Sequence, residues 1–389
     1  MMSENIHYQG FVKKKIKKKN KLQKFPSLKT LLKNYPLLNT LTSNYMYNYD
    51  KKILNNLKKF NDYNLIGIGG SALGTKAIYD FLNYKIKKKF YFYDNLQNSK
   101  ILKSNTNRLN IIVSKSGNTL ETISNLNLIS LRQKKNKNLI ITENKKNILN
   151  KLAKKLKSEV IEHKDYIGGR YSALSEVGML PAELMGLNVK KFKVLNSLIR
   201  KKTFVNFLIN NVQSVYDNIL KGKKNCVILN YDEKSDNLFK WYQQLLAESL
   251  GKNGKGVFPI VSAMPKDNHS LLQLYLDGPK NNYFTFFSVR ENKSNKYNKL
   301  LLTNEIKYLN NFNVSDVLSA QRIATQKVFR KNKIPFRSFE IIKRNESAIG
   351  EIFCFFILET LLLAELLKVN PLNQPSVELI KTETKNILS

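Results

Sequence analysis

Short apolar runs bounded by Gly, Asn and Asp alternate along the chain with longer stretches whose apolar residues recur every three or four positions. The short runs suit strands buried on both faces, and the longer patterns suit helices laid over them. The alternation therefore predicts parallel α/β layers. In the first half the predicted strands are 64–68, 89–93, 109–113, 139–142 and 159–162, with helices over 72–82 and 119–131 between them. A long helical stretch around 189–220 follows, and then the pattern restarts. Its strands are 225–230, 258–262, 283–289 and 337–342, and its helices 238–250, 270–276, 314–330 and 349–367. The expected architecture is two doubly wound parallel-sheet domains, over 46–195 and 196–370, preceded by a polar lead-in at 1–45. A C-terminal helix over 376–388, within a closing segment 371–389, stands behind Pro371 and Pro375.

Composition narrows the function classes. The 389 residues carry a formal charge of +37, which by itself suggests a nucleic-acid partner. Only +12 of that excess lies in residues 1–60, the remainder being spread along the chain, so the distribution reads as a compositional bias toward Lys and no nucleic-acid partner is expected. Cys226 and Cys354 are too far apart in sequence for a CxxC pair, and three histidines offer no metal-ligand cluster. The lysine-rich run 13–19 is not followed by an apolar segment of signal type, so a cytoplasmic protein is expected. The most apolar stretch, 352–367, is 16 residues long and contains Glu359 and Glu365, which argues for a buried helix and against a membrane partner.

Two segments carry chemistry. Gly67-Ile68-Gly69-Gly70-Ser71-Ala72-Leu73-Gly74 falls between a predicted strand and helix, where backbone N–H groups and a helix N-terminus favour an anion. Gly67, Gly69 and Ala72 also fit a dinucleotide loop, with Asp94 ending the next strand as a ribose acceptor. A Walker loop is excluded because Thr75-Lys76 follows Gly74. Ser114-Lys115-Ser116-Gly117-Asn118-Thr119, again between strand and helix, is a second small-anion cradle. A dinucleotide fold does not need the second cradle, so the pair favours a phosphosugar.

The two loops resemble the paired phosphate loops of the sugar-isomerase (SIS) domain, and four further segments resemble the glucose-6-phosphate isomerase family. They are Gly168-Gly169-Arg170-Tyr171-Ser172, Gln244-Leu245-Leu246-Ala247-Glu248-Ser249, Asp267-Asn268-His269-Ser270 and Gln374-Pro375-Ser376-Val377-Glu378-Leu379-Ile380-Lys381. The resemblance runs in order from about residue 64 to 385. It implies a cofactor-free, metal-free aldose–ketose isomerase of glycolysis and gluconeogenesis acting on hexose 6-phosphates through a cis-enediolate. It assigns Glu248 as the base that moves a proton between C1 and C2, and Arg170 as the cation that steadies the enediolate. His269 and Lys381 become the ring-opening groups, and Gly69, Gly70, Ser71, Ser114, Lys115, Ser116, Thr119, Gly169 and Gln244 the substrate contacts. It also implies a homodimer in which His269 serves the neighbouring subunit's site.

General chemistry agrees with these roles where it speaks. A carboxylate is the ordinary base for such a transfer, and an arginine cation is permanent at working pH. Arg170 is unusual in following two glycines in a chain that prefers Lys. The resemblance departs at Ser116-Gly117-Asn118, where many members carry Thr and bulkier residues, and the chain is short for the family. Two rival readings stay open: a bifunctional enzyme that also accepts mannose 6-phosphate, and a non-enzymatic phosphosugar-binding regulator.

Overall fold

A computed structural model describes residues 3–11, 28–96, 108–132, 136–290 and 294–389. The lysine run 13–19 lies outside the described residues. Ten strands occur among them: β1 (Ile6–Gln9), β2 (Asp62–Ile66), β3 (Lys89–Tyr93), β4 (Arg108–Val113), β5 (Lys137–Thr142), β6 (Glu159–Glu162), β7 (Asn225–Asn230), β8 (Phe258–Ala263), β9 (Asn282–Val289) and β10 (Phe336–Ile341). They form two five-stranded sheets, ordered β3-β2-β4-β5-β6 and β1-β10-β9-β7-β8. Within the first sheet every pairing is parallel. In the second, only the β1–β10 pair is antiparallel.

The two sheets are wound alike. In each, the leading strand (β2 or β7) has its successor on one side and the next strands on the other, so the chain reverses direction beside it. This places a topological switch point between β2 and β4 and another between β7 and β9. The duplicated α/β architecture expected from the sequence is therefore present. Its fifth place differs: β6 fills it in one sheet, and the amino-terminal β1 fills it in the other.

Contacts divide the chain differently from the linear split expected near residue 195. One unit, built on β7–β10, takes the described residues within Met1–Phe25 together with Lys202–Asp236 and Gly256–Arg344. The other, built on β2–β6, comprises Pro26–Lys201, Asn237–Lys255 and Asn345–Ser389. The supposed lead-in is likewise structured in both of its described parts. Ile6 is wholly buried in the strand that pairs with β10, and Leu31, Leu37, Leu38 and Leu41 are buried in the β2–β6 unit.

The physical reason for the discontinuous unit is the helix Glu346–Leu367. It is apolar all round, so water is excluded from nearly its whole surface, and it must be enclosed rather than laid on a face. At 22 residues it is long and apolar enough to cross a membrane, so the shortness argument made from 352–367 does not hold; yet 94% of its most apolar window is buried inside the protein. Phe353 packs edge-on against Trp241 with centroids 4.6 Å apart, and Phe356 stacks on Tyr242 at 3.9 Å. Tyr242 also donates its hydroxyl to Glu359 at 2.8 Å, which supplies a partner for a carboxylate in the core. The helix Asp236–Leu250, which carries Trp241 and Tyr242, is thereby fixed on its buried face.

Candidate active site

The two candidate anion loops follow β2 and β4, the strands that flank the switch point of the β2–β6 unit. Gly67 follows β2 and lies so close to the neighbouring strand that a Cβ there would stand 2.9 Å from the carbonyl oxygen of Val113, at the end of β4. The turn Gly69–Ser71 follows, with Gly69 at φ +56°, and then the helix Leu73–Phe81. Such a backbone conformation suits glycine. After β4, Gly117 takes φ +67° and packs so tightly on Asn147 that a Cβ would stand 2.2 Å from its side-chain carbon. The Ser114 hydroxyl is buried and works inside the loop, meeting Thr119 Oγ1 at 2.8 Å and accepting from the Gly117 N–H at 3.1 Å. Ser116 is exposed and Ser71 and Thr119 are partly exposed, so these three residues lie at the surface of the two loops. Lys115 leans away, donating to the Asp165 carbonyl at 2.6 Å and pairing with Glu143 at 3.5 Å. Asp94, the candidate ribose acceptor, is paired with Lys76 at 2.8 Å.

A third loop meets the first backbone to backbone. The turn Gly169–Leu174 lies against Gly70, where a Cβ would fall 2.2 Å from the carbonyl carbon of Gly169. Ser172 stitches the two turns, its hydroxyl reaching Gly169 O at 2.7 Å and Gly70 O at 3.2 Å. Arg170 leaves this turn inward and is 3% exposed. Its Nη1 donates to Glu248 Oε2 at 3.0 Å and to Gln374 Oε1 at 2.8 Å. Its Nε donates to Ser249 Oγ at 2.9 Å, and its Nη2 to the carbonyls of Pro371 and Asn373. A cation this buried is tolerable because each nitrogen is used and an anion stands beside it.

Glu248 sits in the last turn of the helix Asp236–Leu250, with its side chain 30% exposed. One oxygen takes Arg170, and the other accepts from Gln244 Nε2, one turn earlier, at 2.8 Å. The Gln244 amide also abuts the first anion loop, lying 2.9 Å from where a Cβ on Gly69 would be. Lys252 closes the helix end by donating to the carbonyls of Glu248 at 2.7 Å and Ser249 at 2.9 Å. Burial foremost, and then the neighbouring Arg170, lower its pKa to about 8. Trp241, on the same helix, donates to the Arg170 carbonyl at 2.9 Å and so holds the arginine turn against the glutamate helix.

The β2–β6 unit thus brings Gly69, Gly70, Gly169, Arg170, Gln244 and Glu248 together, beside the loop of Ser114, Lys115, Ser116 and Thr119. Two expected residues stand elsewhere. Lys381 is exposed on the helix Pro375–Leu388 and pairs with Glu378 at 2.7 Å. His269 belongs to the β7–β10 unit, exposed in the turn Lys266–His269 that follows β8. Four groups not singled out from the sequence complete the arrangement: Ser249, Tyr171, Lys252 and the Pro371 carbonyl. Three of them are side chains inside or just after the motifs, so adjacency to Arg170 and Glu248 was the available signal. The fourth is a backbone oxygen, which no residue type announces.

A buried cation against a half-exposed carboxylate, beside loops that offer hydroxyls and a helix N-terminus, suits proton abstraction from a phosphorylated substrate whose product is anionic. A family model described as phosphoglucose isomerase matches residues 54–389. The glucose-6-phosphate isomerase of Methanocaldococcus jannaschii is 33% identical over 348 residues, spanning 85% of this chain and 85% of that protein. The probable glucose-6-phosphate isomerase of Methanococcus maripaludis is 31% identical over 346 residues, spanning 82% and 77%. Among solved structures, a hypothetical protein of Thermus thermophilus shares the fold at TM-score 0.76 and 23% identity, over 91% of this chain and 90% of that one. A glucose-6-phosphate isomerase from Chlamydia trachomatis shares it at TM-score 0.70 and 18% identity, over 95% and 76%. With a family model matching all but the first 53 residues, the chain belongs to the phosphoglucose isomerase family.

Proposed function

We propose that the chain interconverts D-glucose 6-phosphate and D-fructose 6-phosphate, with Glu248 as the base that carries the proton between C2 and C1. The observation that carries the reading is the 3.0 Å contact of Arg170 Nη1 with Glu248 Oε2, made beside the loops at the β2–β4 switch point. In the open-chain aldose, the Glu248 carboxylate takes the C2 proton, the C2–H electrons form the C1–C2 double bond, and the aldehyde oxygen becomes anionic. The Arg170 cation is already beside that charge, with its own geometry fixed before substrate arrives, so little reorganisation is needed. Return of the same proton to C1, with the C2 hydroxyl proton passed to the anionic O1, gives the ketose.

The phosphate is held by Ser71, Ser116 and Thr119 with the N-terminus of the helix Leu120–Arg132, and the sugar end is thereby directed toward Glu248. Ser114 supports this by shaping its loop, whereas Lys115, paired with Glu143, would have to leave that partner to add its charge. Gln244 binds Glu248 directly, so its part is to orient the base as well as to touch substrate. His269 and Lys381 exchange the protons of ring opening. The exposed position of His269 agrees with service to a second subunit, in a cytoplasmic homodimer. The reaction is the step shared by glycolysis and gluconeogenesis.

The test is fructose 6-phosphate conversion coupled to a dehydrogenase read-out, for wild type and Glu248→Gln. The amide keeps the shape and accepts from Arg170 but cannot take a proton, so kcat should fall at least about a hundredfold while a phosphate-bearing inhibitor still binds. An E248Q enzyme of near wild-type turnover would remove Glu248 from the role of base.

A further inference from the structure

The Arg170 guanidinium is held by a ring of hydrogen bonds whose directions are set by the groups themselves. Arg170 Nε–H can only donate, and it donates to Ser249 Oγ at 2.9 Å. The Pro371 carbonyl can only accept, and it accepts from Tyr171 Oη at 3.1 Å and from Arg170 Nη2. Tyr171 has one proton, given to Pro371, so in its 2.8 Å contact with Ser249 the phenol accepts and the serine donates. The protons therefore run from Arg170 through Ser249 and Tyr171 to Pro371, and Nη2 closes the circuit. Ser249 and Tyr171 are wholly buried and Arg170 is 3% exposed, so water is no substitute partner for any of them. Burial also raises the Tyr171 pKa, which keeps the phenol a donor. Turning the guanidinium about its Cδ–Nε bond would leave buried donors orphaned, and that penalty fixes its plane. Nη1, the nitrogen outside the ring, is left facing Glu248 and Gln374.

We propose that Ser249 is a positioning residue of this site: by accepting from Arg170 Nε and passing its own proton to Tyr171, it aims Nη1 at the place where the enediolate charge develops. The inference rests on the role given to Arg170 above and adds Ser249, with Tyr171 behind it, as the groups through which that role is exercised.

A double-mutant cycle on kcat and KM tests it, using wild type, Ser249→Ala, Arg170→Lys and the combined variant. Lysine has no Nε–H fork, so a residue acting through Arg170 has nothing to act on in the R170K background. S249A alone should lower kcat about ten- to hundredfold, the loss of one buried hydrogen bond to a charged group, with KM changed less than about threefold. In R170K the same change should cost less than about twofold, and Tyr171→Phe alone should cost less than S249A. Additive losses, or an S249A enzyme with wild-type kcat, would overturn the assignment. A second readout does not depend on activity. The Arg170 Nε–H resonance, identified by its absence from the R170K spectrum, should exchange slowly with solvent in wild type and rapidly in S249A. Equal exchange in the two overturns the ring. If the wild-type chain shows no isomerase activity, the functional reading fails and the exchange measurement still decides whether Ser249 holds Arg170.

Discussion

Replacing Gly70 by Ala should disable the site from a position that carries no functional group. The added Cβ would lie 2.2 Å from the carbonyl carbon of Gly169, 2.4 Å from its oxygen and 2.5 Å from the Arg170 nitrogen. All three are backbone atoms, so no rotamer change relieves them. Carbon atoms rest about 3.5 Å apart, so the two turns must separate by roughly 1.3 Å. That separation strains the Ser172 bridges to both turns and moves the base of Arg170 away from Glu248, now 3.0 Å from its Nη1. A misplacement near 1 Å costs on the order of a hundredfold in rate, and the overpacking itself about 1–3 kcal/mol of stability. The facing glycine makes the control. A Cβ on Gly169 would meet only Gly70 Cα, at an ordinary 3.9 Å, so Gly169→Ala should leave stability unchanged. The assay is kcat by the coupled conversion together with urea midpoints for both variants. A G70A enzyme within about twofold of wild-type kcat and with an unshifted midpoint would refute the argument that this backbone approach builds the site.

Two further outcomes follow from other parts of the chain. His163 is buried after β6 and stays neutral until about pH 4, chiefly through burial and also through Lys115, against the opposing pull of its hydrogen bond to the Lys164 carbonyl and of Glu143. An exposed histidine titrates near 6.5, so between those values the unfolded chain holds more protons and stability falls as pH drops, by up to about 1.4 kcal/mol per pH unit. Urea midpoints from pH 7 to pH 4 should show this slope in wild type and a shallower one in His163→Gln; equal slopes would count against it. Mixing Glu248→Gln with His269→Gln chains under subunit exchange should restore about a quarter of wild-type activity if His269 serves the partner's site, since half the dimers are mixed and half their sites intact. A mixture that stays inactive would return His269 to its own subunit, and a His269→Gln chain active by itself would leave it no role.

The central strands were legible because parallel strands covered on both faces are largely apolar, as in β4 and β9, while the partly exposed edge strands β3, β6 and β8 showed themselves through short aromatic or β-branched runs. Predicted and observed strands agree to within about two residues from β2 to β10. The exception is β1, whose Ile-His-Tyr-Gln carries one wholly buried residue; its evidence lies in its partner β10, 330 residues away, not in its own pattern. The segment before β2 showed no period for a related reason. Leu31, Leu37, Leu38, Leu41 and Tyr45 are buried but separated by Lys, Asn and Thr, so no single period stands out. At the site, Arg170 behind two glycines and Glu248 one turn after Gln244 were readable as residue types. The ring that orients Arg170 was not, because two of its links are made through a backbone carbonyl and its serine reads as an ordinary helix residue.

The placement of those links explains why the β2–β6 unit is discontinuous. Arg170 comes from the segment ending at Lys201, Glu248 and Ser249 from Asn237–Lys255, and Pro371 and Gln374 from Asn345–Ser389. Until all three segments are together, the arginine is a cation leaving water without its partners, and burying it alone is strongly unfavourable. The segments are brought together by apolar packing that does not involve substrate: the enclosed helix Glu346–Leu367 meets Trp241 and Tyr242 on the glutamate helix, and Trp241 in turn bonds the Arg170 carbonyl. Hydrophobic burial thus supplies the free energy that the polar ring cannot supply for itself, and the ring converts that loosely directional force into one orientation of Arg170. Loss of packing at Trp241 should therefore reach the guanidinium before it reaches the loops after β2 and β4, which are held by the close approach of Gly67 to Val113 and of Gly117 to Asn147.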